Sequence, residues 1–121
     1  MRSAFKMAIM ALFIILTFSA AQAQFMAGYE LVQAWEAYNQ VDEGKGRDGD
    51  LGLGYLYMGY VTGVWDAIGY LLEPPSTINV GQVCSVVGKY LDAHPERRLE
   101  PAFALVLSAL LEAFPKRGKT T

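Results

Sequence analysis

The stretch LGLGYLYMGYVTGVWDAIGYLL, from Leu51 to Leu72, decides the fold. Leu53, Leu56, Tyr57, Tyr60, Val61, Val64, Ile68 and Leu71 recur at helical spacing and mark one broad apolar face. The spacing predicts a core helix over the whole stretch. Gly59 and Gly63 form a G-x-x-x-G pair, and Gly52 and Gly69 add further gaps. In a membrane such a pair favours helix dimerisation, while in a soluble domain it lets another backbone pack close. The soluble reading is preferred, because Asp66 interrupts the apolar run and five glycines make a poor membrane span. Among the acids Asp66 is the first candidate for burial, and an exposed face or a hydrogen-bonded contact is its ordinary reading.

Working outward, Val41 to Asp50 holds the run DEGKGRDGD, which reads as a solvated loop. It lacks the D-x-[DN]-x-[DN]-G pattern of a calcium loop. Before it, Tyr29, Leu31, Val32, Trp35 and Tyr38 predict a first helix from about Gly28 to Gln40. After the core helix, Glu73-Pro74-Pro75-Ser76-Thr77 is a stop and a turn. Asn79 with Gln82 three residues on is a capping-box arrangement that opens a third helix. Val80, Val83, Val86, Val87, Tyr90 and Leu91 line that helix, and Ala93-His94-Pro95 closes it. Pro101 at the first helical position starts a fourth helix that reaches Phe114 before Pro115. Its main stripe is Ala102, Leu105, Val106, Ala109, Leu110 and Ala113. A second stripe, Phe103, Leu107, Leu111 and Phe114, predicts burial by more than one neighbour. No period-2 strand and no internal repeat is visible. The fold class is all-α, a compact bundle of about four helices.

The N-terminus has the three parts of a secretory signal. Arg2 and Lys6 are basic, Met7 to Phe18 is apolar, and Ala21-Gln22-Ala23 fits the A-x-A cleavage pattern. Residues 1–23 are therefore expected to be cleaved after Ala23, leaving 24–121 as one domain with a disordered polar tail over about 116–121. The apolar run is shorter than the roughly 20 residues of a membrane span, so stable insertion after cleavage is not expected. The signal removes two of the ten basic residues and none of the twelve acids, giving a mature charge of −4. That balance argues against nucleic-acid binding, which needs clustered positive charge. Cys84 is the single cysteine, so no internal disulfide can form. It is either a buried small apolar side chain or half of an intermolecular bridge.

The inventory for catalysis is thin. Cys84 and His94 lie ten residues apart, about 15 Å along a continuous helix, which is beyond hydrogen-bond reach. Those two residues also fall short of a zinc set. Ser85 and Ser108 have no arranged base, and no carboxylate pair is spaced for acid–base work. No catalytic residue, metal ligand or cofactor is expected. His94, at a helix end, suits the C-terminal dipole.

Three runs of residues resemble a known family. They are Gly59-Tyr60-Val61-Thr62-Gly63-Val64-Trp65-Asp66-Ala67; Val80-Gly81-Gln82-Val83 with Val86-Val87-Gly88-Lys89-Tyr90-Leu91 and His94-Pro95-Glu96; and Pro101-Ala102 with Ala109-Leu110 and Ala113-Phe114-Pro115. In order and spacing, over about Gly28 to Pro115, they resemble the Rap/Tai immunity domain. Members of that family are periplasmic helical proteins that neutralise peptidoglycan amidases delivered by type VI secretion. The resemblance implies a homodimer whose partner surface includes the third and fourth helices and their link. Family cysteine positions appear here as Tyr57, Glu73 and Lys116, so the family-type disulfides are absent. Of these, Tyr57 is expected to fill space and the other two to face water.

Inhibition by occlusion needs a complementary surface and no catalytic group. The expected partner-binding residues are Asp92, His94, Glu96, Arg97 and Arg98, a short connection rich in both charges and stiffened by Pro95. The same residues also read as an ordinary solvated turn. A periplasmic chaperone or stress adaptor, holding clients on an exposed apolar helix face, is the competing function. An immunity-fold domain with an unrelated housekeeping role is a third.

Overall fold

The structure, a computed structural model, describes residues 2–10 and 25–118. A helix, α1, covers residues 2–10 and is exposed throughout; the A-x-A site expected at Ala21 to Ala23 lies outside the described residues. The domain then runs through α2 (Gly28–Asp42), α3 (Asp50–Ile68), α4 (Val80–Ala93) and α5 (Ala102–Ala113). Short 3-10 turns follow α3 (Gly69–Leu71) and α4 (Pro95–Arg97). The fold is all-α. Four helices stand where the sequence placed them, and α1 makes a fifth. Among the described residues the only extended pairings are two isolated bridges, Ala27 with Pro101 and Leu72 with Lys116.

Local chemistry sets the helix ends. Asn79 accepts from the Gln82 N–H at 2.9 Å, and the Gln82 side chain accepts from the Asn79 N–H at 2.8 Å, completing the expected capping box. The Glu30 carboxylate accepts from the Ala27 N–H at 2.8 Å, half of the same device at the start of α2. Pro101 stands at the N-cap position with extended ψ, so α5 begins one residue later than expected, at Ala102. The stretch 51–72 is not one helix, because α3 gives way to a 3-10 turn at Gly69.

The core is built around an aromatic cluster. Trp35 and Tyr38 of α2 meet Tyr57 of α3, with ring centroids 5.3–5.9 Å apart. Tyr57 is fully buried and donates to the Cys84 carbonyl at 2.7 Å, tying α3 to α4. Burial pushes its phenol well above the ordinary value. Leu31, Leu72, Val87, Leu91, Leu105 and Leu110 complete the cluster, each fully or almost fully buried. Each such side chain contributes about 1.5–3 kcal/mol through the water it leaves. Cys84 is also fully buried, so the thiol cannot reach a second chain.

The orientation of α3 corrects the sequence reading. Its buried residues are Asp50, Gly54, Tyr57, Val61 and Val64, whereas Leu53, Leu56 and Leu71 are exposed. The close helix approach occurs at Gly54, where a Cβ would stand 3.3 Å from the Tyr38 Cα. A Cβ on Gly59 or Gly63 would meet nothing within 4 Å, so the G-x-x-x-G pair faces outward. Asp66 on that outer side is exposed, and the buried acid is Asp50. The Asp50 carboxylate accepts from the Arg47 N–H at 2.8 Å and closes the glycine-rich loop.

The chain end is held by main-chain bonds. The Glu73 N–H donates to Pro115 at 2.9 Å, and the Arg117 N–H donates to Leu71 at 2.9 Å. Backbone pairing thus reaches the first residues of the tail read as disordered. Glu73 and Lys116 lie beside this bridge with both side chains exposed, while Tyr57 fills the core, as expected of the three family cysteine positions.

Candidate functional site

The link between α4 and α5 is a turn fixed at several points. At its entry, His94 caps α4, its N–H donating to the Leu91 carbonyl at 3.3 Å. At its exit, the Gly28 N–H donates to Glu100 at 2.7 Å and the Ala102 N–H donates to Met26 at 3.1 Å. Gly28 makes this approach possible: a Cβ there would lie 2.8 Å from the Arg98 carbonyl oxygen and 2.9 Å from that of Glu100. The link therefore rests directly on the start of α2.

Side chains complete the frame. Arg97 donates through Nε to Glu100 at 2.6 Å and through Nη2 at 2.7 Å, a bidentate pair. Its third nitrogen, Nη1, donates to the Tyr90 hydroxyl, and its guanidinium carbon lies 5.7 Å from the Tyr90 ring centroid. The hydrogen bond from Arg97 holds the Glu100 carboxyl below the usual carboxylate range, and Glu100 in turn raises the guanidinium. The His94 ring packs on Tyr90 at 4.2 Å between centroids, and its Nδ1 lies 2.9 Å from Glu96 Oε1. That bond lowers the Glu96 carboxyl.

The five sequence-selected residues therefore divide. His94, Glu96 and Arg97 come together around Tyr90. Asp92 points elsewhere: both its carboxylate oxygens lie 3.2 Å from the Trp35 indole N–H, so it anchors α4 to the core cluster. Arg98 is exposed and makes no ion pair among the described residues. Arg97 is not a free surface charge: two of its nitrogens are engaged by Glu100 of the link and the third by Tyr90 of α4.

Sequence reasoning missed four residues here. Tyr90 read as part of an apolar stripe, and Glu100 was not among the charges singled out in the link. The Arg97–Glu100 spacing of three residues was the available signal. Gly28 read only as the start of a helix. Leu99 drew no attention, yet it is 86% exposed.

Two concave features flank α4. A groove of ≈ 240 Å³ beside the link is lined by Lys89, Tyr90, Ala93 and His94, with Ala109 and Glu112 opposite. A larger cavity of ≈ 550 Å³ opens between the end of α2, at Tyr38 and Asp42, and Gln82 and Ser85 of α4. Among the described residues, no group of three or more His, Cys, Asp or Glu side chains is placed to hold a metal ion. No described helix is long and apolar enough to cross a membrane. What the site shows is a charged turn held by main-chain and side-chain bonds to α2 and α4.

A comparison with curated proteins finds no match. A comparison with protein families matches residues 27–115 to the Rap1a immunity proteins. The match begins at Ala27, which pairs with Pro101, and ends at Pro115, which pairs with Glu73. It spans the whole of α2 to α5 with the pinned link inside it, and the chain belongs to the Rap1a immunity protein family.

Proposed function

We propose that this chain is a periplasmic immunity protein that binds and inhibits a peptidoglycan amidase effector of type VI secretion, with the α4–α5 link at the interface. The carrying observation is the pre-formed link. Arg97 is held by Glu100 and Tyr90, and His94 by Glu96, before any partner arrives. A turn already ordered loses little conformational freedom on binding. Export fits the basic, apolar and A-x-A segments at the N-terminus. Titration calorimetry of the mature chain against the peptidoglycan amidase encoded nearest to its gene tests the reading. Saturable one-to-one binding supports it, and no heat of binding contradicts it.

The chain works as a homodimer in this reading, with the outer face of α3 as the contact. Leu56 and Tyr55 stand exposed there beside Gly52, Gly59 and Gly63, none of which has a Cβ neighbour. Sedimentation should show a dimer that Gly63→Leu weakens; a monomer at high concentration counts against it. The competing chaperone reading would use the same exposed face together with Phe103 and Leu111 of α5, which are also exposed. Suppressed aggregation of unrelated denatured proteins would identify that activity.

A further inference from the structure

The larger cavity beside α4, of ≈ 550 Å³, has no residue of the α4–α5 link in its lining. Its size falls within the roughly 300–1,000 Å³ of small-ligand sites. One wall is the end of α2, where Tyr38 and Asp42 stand one turn apart. The other is α4, where Gln82, Ser85 and Lys89 recur at helical spacing on one face. Small residues on α4 leave the space open: a Cβ on Gly81 would meet only the Asn79 side chain, at 3.4 Å. Asp42 and Lys89 line the cavity with opposite charges and do not pair, and neither has an ion pair among the described residues. Lys89 also borders the smaller groove, where Glu112 makes no ion pair with it. Asp42 is the last residue of α2, whose last turn carries no basic side chain, so its carboxylate adds to the negative end of the helix dipole. The Ser85 hydroxyl is also unspent. Thr62 turns its hydroxyl back to the Met58 carbonyl at 2.6 Å, whereas Ser85 makes no such bond among the described residues.

We infer that this cavity binds a small zwitterion, an apolar amino acid or dipeptide with both ends free. The ligand's ammonium pairs with Asp42 at the negative end of α2. Its carboxylate takes Lys89 and the Ser85 hydroxyl on α4, and its side chain lies on Ile78, Val86 and Phe114, the apolar part of the lining. A purely apolar ligand would desolvate both charges without pairing either, and a simple ion would satisfy one wall alone. The inference does not depend on the amidase reading.

Amide NMR of the exported chain, titrated with leucine and with leucyl-leucine to about 10 mM, reads the site directly. Shifts of the Asp42, Ser85 and Lys89 amides that saturate with either compound support it, and the tighter binder gives the ligand's length. Acetylating the ligand's amine or amidating its carboxylate should each weaken binding about fivefold, the worth of one partly exposed charge pair. Asp42→Asn should lose the same factor for the free ligand and nothing further for the acetylated one, and Lys89→Gln should do likewise with the amidated one. Both side chains are exposed, so the variants should keep the wild-type melting temperature. Shifts that are absent or still linear at the end of both titrations overturn the inference, as do capped ligands that bind as tightly as the free ones.

Discussion

Two sets of helix glycines in this molecule do opposite work. Gly54 and Gly88 face inward, at points where helices touch. A Cβ on Gly88 would stand 2.4 Å from the Trp35 ring, and one on Gly54 would stand 3.3 Å from the Tyr38 backbone. Gly52, Gly59 and Gly63 face outward, where a Cβ would meet nothing. The first set lets α2 seat against α3 and α4, and so places Trp35 where Asp92 can bond it. The second set gives nothing to the monomer and lowers helix propensity, since each exposed glycine costs roughly 1 kcal/mol against alanine. A glycine pattern therefore identifies a close approach only once a neighbour is found for it.

The same substitution at the two kinds of site should change stability in opposite directions. Gly88→Ala forces a methyl into a tryptophan fixed by two tyrosines, and should cost about 2 kcal/mol through overpacking. A urea midpoint unchanged from wild type would show that Trp35 can move away. Tyr57→Phe keeps the packing but removes the bond to the Cys84 carbonyl, and should cost about 1 kcal/mol in the same titration. Gly63→Ala should stabilise the monomer by about 0.5–1 kcal/mol, measured at concentrations too low for association. Destabilisation there would mean that the outer face is covered within the chain.

The smallest effect concerns the link against the core. The Glu100 carboxyl is depressed by its bond from Arg97, so the clasp's contribution is complete above the ordinary carboxylate value of 4.5. It is lost as pH falls below that value and through the lower one of the folded state. Protection of the link amides, measured as exchange relative to the intrinsic rate at each pH, should therefore fall under acid before protection around Trp35 does. Simultaneous loss of protection would show that the link has no local stability of its own.

Much of this was legible in the residues, and the rest failed for definite reasons. Apolar periodicity located α2 to α5, and Asn79 with Gln82 marked the start of α4 to the residue. Those signals are local, arising within one or two turns of helix. The rotation of α3 was not legible. A helix apolar on nearly every side offers several faces, and Leu53 and Leu56 match the periodicity as well as Val61 and Val64 do. The buried face is chosen by Gly54 meeting Tyr38 across sixteen residues of sequence. Asp50 rather than Asp66 is buried because the loop donates the Arg47 N–H to it. At the candidate site the charges were visible but their partners were not. Asp92 belongs to Trp35, 57 residues away, and Leu99 is conspicuous only when its exposure is known.

Amidase inhibition measured by titration tests the central claim most directly. The chain is added in steps to a fixed concentration of the peptidoglycan amidase encoded nearest to its gene, with release of peptide from peptidoglycan as the readout. The account predicts that activity falls linearly to zero at one chain per enzyme and stays there without turnover, because inhibition by occlusion is stoichiometric. Full peptide release in the presence of excess folded chain would contradict it.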